Sequence, residues 1–256
     1  MRTTLQDAAV KVPAVTLGFW IVKIAATTLG ETAGDAVTMS MNLGYAFGTL
    51  IFAAAFVVSV MAQVAARAFH PMLYWFTIIA TTTAGTTLAD LVDRSLGIGY
   101  LGGSTLLLAC VLGTLALWHR ASGSVSVTAI AAPRDEAFYW TTIMFSQTLG
   151  TALGDWFADS AGLGFEVAAL VFAAAIAVVA LLWRFTSLSR TGLFWAAFIL
   201  TRPLGATVGD FLDKPLAEGG LALSRYTASA VLVAFILACI LLIPQRASRH
   251  PTRAAQ

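Results

Sequence analysis

The chain has 256 residues, 59% of them hydrophobic and 11% charged, with a formal net charge of +2 and a mean hydropathy of +0.83. Soluble globular domains carry about 25% charged residues. That composition excludes an ordinary soluble domain and points to an all-α, polytopic membrane protein.

Apolar runs nearly free of charge cover residues 13–41, 43–66, 72–92, 99–118, 137–158, 163–183, 191–212 and 221–243. Each reaches the roughly 20 residues an α-helix needs to cross a hydrocarbon core of about 30 Å, so about eight transmembrane helices are expected. Residues 1–12 read as a short interfacial turn, and Pro13 stands where the first turn of a helix tolerates proline. The first run is too long for the apolar part of a signal peptide, so no cleavable leader is expected. The second helix has no ionisable residue between Leu50 and Val64 and reads as scaffold. The third carries Thr81, Thr82, Thr83, Thr86 and Thr87 ahead of Asp90. Residues 121–134 read as a cytoplasmic linker. In the seventh run Pro203 follows Arg202 and cannot donate to the carbonyl of Ile199, which predicts a kink or a local opening. The tail, 245–256, is basic and is expected to be disordered near anionic headgroups.

One pattern recurs four times: Gly30-x-x-x-Gly34-Asp35, Gly85-x-x-x-Ala89-Asp90, Gly150-x-x-x-Gly154-Asp155 and Gly205-x-x-x-Gly209-Asp210. An aromatic–Trp pair precedes each copy, and Trp20, Trp75, Trp140 and Trp195 stand fifteen residues before their Asp. The offsets of 55, 65 and 55 mark an internal repeat. They divide the chain into a first half, 1–120, and a second half, 135–244. Two helices per repeat make the four repeats parallel, with both termini on one side. The Trp pairs read as anchors at the lipid interface. Most Lys and Arg fall in the termini and the even-to-odd loops, whereas the opposite loops hold Arg94, Lys214 and Arg225. By the positive-inside rule both termini are cytoplasmic.

Steps of four residues back from each Asp stay on one helix face. If the odd helices converge, these faces stack in layers. The outermost holds Asp35, Asp90, Asp155 and Asp210, and the next holds Glu31, Thr86, Thr151 and Ala206. The third holds Thr27, Thr82, Gln147 and Arg202, and the innermost holds Lys23 with Ile78, Ile143 and Phe198. Carboxylates, hydroxyls and an amide are hard oxygen ligands suited to magnesium, calcium or manganese. Clustered carboxylates at low dielectric also exchange protons near neutral pH. The ion or proton pathway is therefore assigned to Glu31, Asp35, Asp90, Asp155, Asp210, Thr27, Thr82, Thr86, Gln147 and Thr151. The five acids are the candidate metal ligands, and Lys23 and Arg202 the counter-charges. Small residues four apart also pack helices closely. Helix packing is thus the competing reading of the motif.

Several stretches taken together resemble a family of uncharacterised bacterial membrane-anchored proteins built on this repeat. They are Lys11-Val12-Pro13-Ala14-Val15-Thr16, Phe19-Trp20 with Lys23, Thr27-Thr28-x-Gly30-Glu31-Thr32, and Thr201-Arg202-Pro203-Leu204-Gly205-Ala206 with Gly209-Asp210. Ala14 stands where the family's opening motif has an acidic residue. The resemblance implies a multi-pass protein of the bacterial inner membrane and supplies no activity.

The polar stripe leads to an exchanger of a small cation, plausibly divalent and proton-coupled. A membrane scaffold or accessory subunit is the alternative. No hydrolase, zinc or nucleotide-loop signature is present, so an enzyme is not expected, and neither is a cofactor or a nucleic-acid partner. The expected partners are the bilayer, a small cation or proton, and further copies of the chain as an open option. Cys110 and Cys239 fall inside predicted spans and read as small core residues.

Overall fold

The computed structural model describes residues 10–130 and 132–248. It contains eight α-helices: α1 (Leu17–Asp35), α2 (Gly44–Ala65), α3 (Pro71–Asp90), α4 (Tyr100–Ser122), α5 (Pro133–Asp155), α6 (Gly164–Phe185), α7 (Arg190–Asp213) and α8 (Arg225–Leu242). Among the described residues there is no strand, only an isolated bridge between Pro13 and Ala247.

The even helices α2, α4, α6 and α8 are long and apolar enough to cross a membrane, and they turn Leu50, Val58, Leu101, Leu170 and Leu241 outward. The odd helices carry the Thr, Asp and Gly of the repeat. In hydrocarbon those polar groups would be left without partners at a cost of a few kcal/mol each. The fold removes the problem by placing all four odd helices inside. They form a closed ring in which α1 packs on α3, α3 on α5, α5 on α7 and α7 on α1. Each even helix then covers the odd helix that follows it: α2 lies on α3, α4 on α5, α6 on α7, and α8 comes round to lie on α1. The result is a pseudo-fourfold barrel of helices with a polar axis.

The glycines of the repeat explain how closely the ring closes. A side chain at Gly30 would collide with Thr82, at Gly85 with Gln147, at Gly150 with Arg202 and at Gly205 with Thr27. Each first glycine therefore receives the third-layer residue of the next helix round the ring. The second glycine works the same way one turn further on, with Gly34 against Thr86, Gly154 against Ala206 and Gly209 against Glu31. Thr86 donates across the interface to the carbonyl of Gly30 at 3.1 Å, and Thr27 to that of Thr201 at 3.1 Å.

Beyond each Asp the first three repeats pass through a π-helical turn, Ala36–Ser40, Leu91–Ser95 and Trp156–Ser160. The chain then reverses through left-handed residues at matching positions, Asn42 and Gly44, Gly97 and Gly99, Gly162 and Gly164. Asn and Gly are the residues that adopt this conformation most readily. The fourth repeat differs: α7 runs on to Asp213 and a folded loop, 214–224, replaces the π turn.

The structure revises two expectations and details two more. The first helix begins at Leu17, where the Thr16 side chain caps it by accepting from the Phe19 amide. Pro13 instead sits in an extended segment whose neighbours pair with the chain's last described residues, Ala14 N to Arg246 O at 2.8 Å and Ser248 N to Val12 O at 2.8 Å. The start of the tail is consequently ordered, while the rest of it, 249–256, and residues 1–9 lie outside the described residues. α7 is helical from Arg190 to Asp213 with Pro203 inside it, packed beside Gly150. The linker after α4 is part of the core, with Val127 and Ile130 buried and the Val125 carbonyl accepting from Trp195 Nε1 at 2.9 Å.

Candidate functional site: a buried polar axis

At the end where the odd helices start, the aromatic–Trp pairs form the floor of the axis. Phe19 meets Trp75 at 5.5 Å between ring centroids, Tyr74 meets Trp140 at 5.8 Å, Tyr139 meets Trp195 at 6.2 Å and Phe194 meets Trp20 at 5.8 Å. The pattern is the same step round the ring four times, and a hydrogen bond of 2.7 Å joins the Tyr74 and Tyr139 hydroxyls. This corrects the reading of these pairs as lipid-interface anchors: Trp75, Trp140 and Trp195 are buried in one aromatic cluster, with Trp20 half-buried against it. Edge-to-face aromatic packing favours such a cluster.

One layer above lie Lys23, Ile78, Ile143 and Phe198, all fully buried. Lys23 Nζ stands 4.3 Å from the centre of the Phe198 ring and has no hydrogen-bond partner among the described residues. Its expected role as counter-charge to a carboxylate is not seen, because it forms no ion pair there. In the next layer Thr27, Thr82, Gln147 and Arg202 are fully buried. Thr82 Oγ1, both amide atoms of Gln147 and Arg202 Nε also lack partners.

The guanidinium of Arg202 reaches up into the layer of Glu31, Thr86 and Thr151. Its Nη2 lies 2.9 Å from Glu31 Oε2 and also donates to the hydroxyls of Thr86 and Thr151. Arg202 thus joins side chains of α1, α3 and α5 to its own helix. A planar, permanently charged fork suits a buried site with several acceptors.

The four repeat aspartates close the other end, and each is buried. Sequence reasoning missed what holds them. Arg94 spans two, with Nε 2.8 Å from Asp90 and Nη2 3.2 Å from Asp155. Lys214 spans the other two, with Nζ 2.9 Å from Asp35 Oδ2 and 3.0 Å from Asp210 Oδ1. Arg225 reaches Asp213 at 3.1 Å and Asp35 at 3.5 Å. Burial lowers the Lys214 ammonium, but Asp210 and Asp35 outweigh it and hold the group well above its ordinary value. The signal was present in the sequence. Repeats two and four continue as Asp90-x-x-Asp93-Arg94 and Asp210-x-x-Asp213-Lys214, with the basic residue one turn beyond the repeat Asp.

All the acids assigned from sequence therefore line one axis, in company with Thr27, Thr82, Thr86, Gln147 and Thr151. They fall into two groups, the Arg202–Glu31 cluster and the aspartate ring. Asp213 joins the ring as a member the stripe omitted, since it lies three residues past Asp210. Asp35, Asp210 and Asp213 each offer a carboxylate oxygen within 4.8 Å of the others.

Comparison with known proteins bears on the repeat. No curated protein and no solved structure matches the chain. The family described as Repeat of Unknown Function (DUF347) matches four times, at residues 18–69, 73–124, 138–189 and 193–246. Each match contains most of one odd helix, one even helix and one Asp of the repeated motif, and together they span most of the sequence, so the chain belongs to this family.

Proposed function

We propose that this is a multi-pass protein of the bacterial inner membrane that exchanges a small, hard cation, most fittingly divalent, for protons. All eight helices cross the bilayer in this reading. The even ones face lipid, the odd ones are shielded within, and the termini lie in the cytoplasm, below the aromatic floor. One observation carries the proposal. Asp35, Asp90, Asp155, Asp210 and Asp213 are buried together with, among the described residues, only Arg94, Lys214 and Arg225 paired to them, which leaves two negative charges in excess. Uncompensated charge at such depth is costly. Two bound protons or one divalent cation would neutralise it, and alternation between the two is proton-coupled exchange. Below the ring, the Arg202–Glu31 pair and the aromatic floor act as the barrier that keeps the exchange coupled.

The close glycine contacts favour a second reading, a scaffold whose motif serves packing alone. Flux measured in proteoliposomes separates the two. Asp35→Asn and Asp155→Asn should leave a folded protein whose manganese uptake falls by at least about tenfold, the scale of one lost charge interaction. Undiminished uptake in both variants would remove the ring from the mechanism, and absence of flux from well-folded native protein would favour the scaffold.

A further inference from the structure

The aspartate ring is not evenly built. On one side Arg94 holds Asp90 and Asp155 with separate nitrogens of its fork, and the second acid of Arg94's own repeat, Asp93, turns away to pack against Gly103 of α4. On the other side Asp35, Asp210 and Asp213 remain together, with the point charge of Lys214 between Asp35 and Asp210 and the Arg225 fork between Asp35 and Asp213. Asp213 Oδ1 and Asp210 Oδ1 are buried and accept no hydrogen bond among the described residues. The Lys214 contact to Asp210 is an ion pair without hydrogen-bond geometry, so the ammonium satisfies this pocket only in part.

We propose that Asp35, Asp210 and Asp213 form the binding site for a hard divalent cation, and that Lys214 is a tethered occupant which the cation displaces. The inference rests on the exchanger reading and locates its site at the seam where the last repeat meets the first. Three observations support it. Oxygens bound to one magnesium, manganese or calcium ion with bonds of about 2.0–2.6 Å stand no more than about 5 Å apart, and these three carboxylates offer oxygens within 4.8 Å of one another. The charges fit as well: with Lys214 moved off the carboxylates but still tethered at the ring, a divalent ion brings the five carboxylates and three basic residues from two negative charges in excess to none. Finally, Lys214 caps the C-terminus of α7, its amide donating to the Asp210 carbonyl at 2.8 Å, and its flexible side chain reaches the carboxylates from the root of a loop. The loop 214–224 is closed on itself by Gly220 N to Pro215 O at 3.1 Å and Ala222 N to Lys214 O at 2.9 Å. It is fastened to α7 by Leu221 N to Phe211 O at 2.7 Å and Leu223 N to Leu212 O at 2.9 Å. A lysine at the root of such a loop can withdraw its flexible side chain while the three carboxylates stay in place, whereas the forked Arg94 opposite is locked by two acids.

The test is manganese binding to the purified full chain in detergent, read from the electron paramagnetic resonance signal of free manganese at one fixed pH. Asp213→Asn should weaken binding at least about tenfold and Lys214→Met should tighten it by a similar factor, the scale of one charge about 4 Å away. Lys214→Arg, which keeps the charge in a fork, should weaken binding, and it serves if Lys214→Met fails to fold. Asp93→Asn should bind as the native chain does. Equal loss in Asp213→Asn and Asp93→Asn, no loss in either, or no effect of a folded Lys214 variant would overturn the site. Flux distinguishes the two levels: binding as described without transport would overturn the exchanger and leave the site standing, whereas undiminished transport in Asp213→Asn would overturn the site alone.

Discussion

Arg202 joins more of the polar axis than any neighbouring side chain, because its Nη2 serves Glu31, Thr86 and Thr151 on three other helices. Removing one partner of a buried ion pair strands the other, at a cost of about 3–5 kcal/mol. Arg202→Met should therefore destabilise the protein on that scale in thermal or denaturant unfolding in detergent. Glu31→Gln added to Arg202→Met should recover at least about 1 kcal/mol, because the stranded carboxylate is gone. Additive losses in the double variant would show that the pair is not energetically coupled. Lys23 behaves differently, since its ammonium meets only the face of Phe198. Its depth was visible in the sequence from its place on the stripe. Its lack of a carboxylate partner was not, because Glu31 is taken by Arg202 from another repeat 171 residues away.

At the scale of the helix, the small residues of the motif set how near the odd helices come, and they are not equivalent. A methyl group at Gly205 would meet the Thr27 backbone carbon at 2.8 Å, which cannot move alone, whereas at Gly34 it would meet the Thr86 methyl at 3.1 Å. Overpacking of the first kind costs about 1–3 kcal/mol or more. At Gly34 the gain in helix propensity, about 1 kcal/mol, offsets the milder crowding. Gly205→Ala should accordingly destabilise clearly, and Gly34→Ala should be near neutral in the same unfolding assay. The reverse order would contradict the ring packing. The elements themselves were largely legible, because runs such as 43–66, which is charge-free, and 163–183, whose one charge is Glu166 near its start, end near the observed α2 and α6. The start of α1 was not, because Pro13 fits a helix terminus and an extended pair equally well until Arg246 and Ser248 supply the other strand.

For the whole molecule, the fourfold repeat produces a ring that closes where the fourth repeat meets the first, with α7 on α1, α8 covering α1 and residues 12–14 pairing with 246–248. The four-residue stripe foretold which side chains line the axis. Two features escaped it for one reason, since an interval along one helix carries no information on what other repeats bring. These are the ion pairs of Arg94, Lys214 and Arg225, and the burial of the Trp pairs in a common floor. The ring's two excess negative charges lead to the central claim, exchange of one divalent cation for two protons. The measurement that tests it most directly counts protons against manganese in proteoliposomes of the native chain, with a pH-sensitive dye inside and the membrane potential clamped at several values. The account predicts two protons moved per manganese ion in the opposite direction, at a rate that the potential does not change. Manganese flux without proton movement, or no flux of either from folded protein, would contradict it.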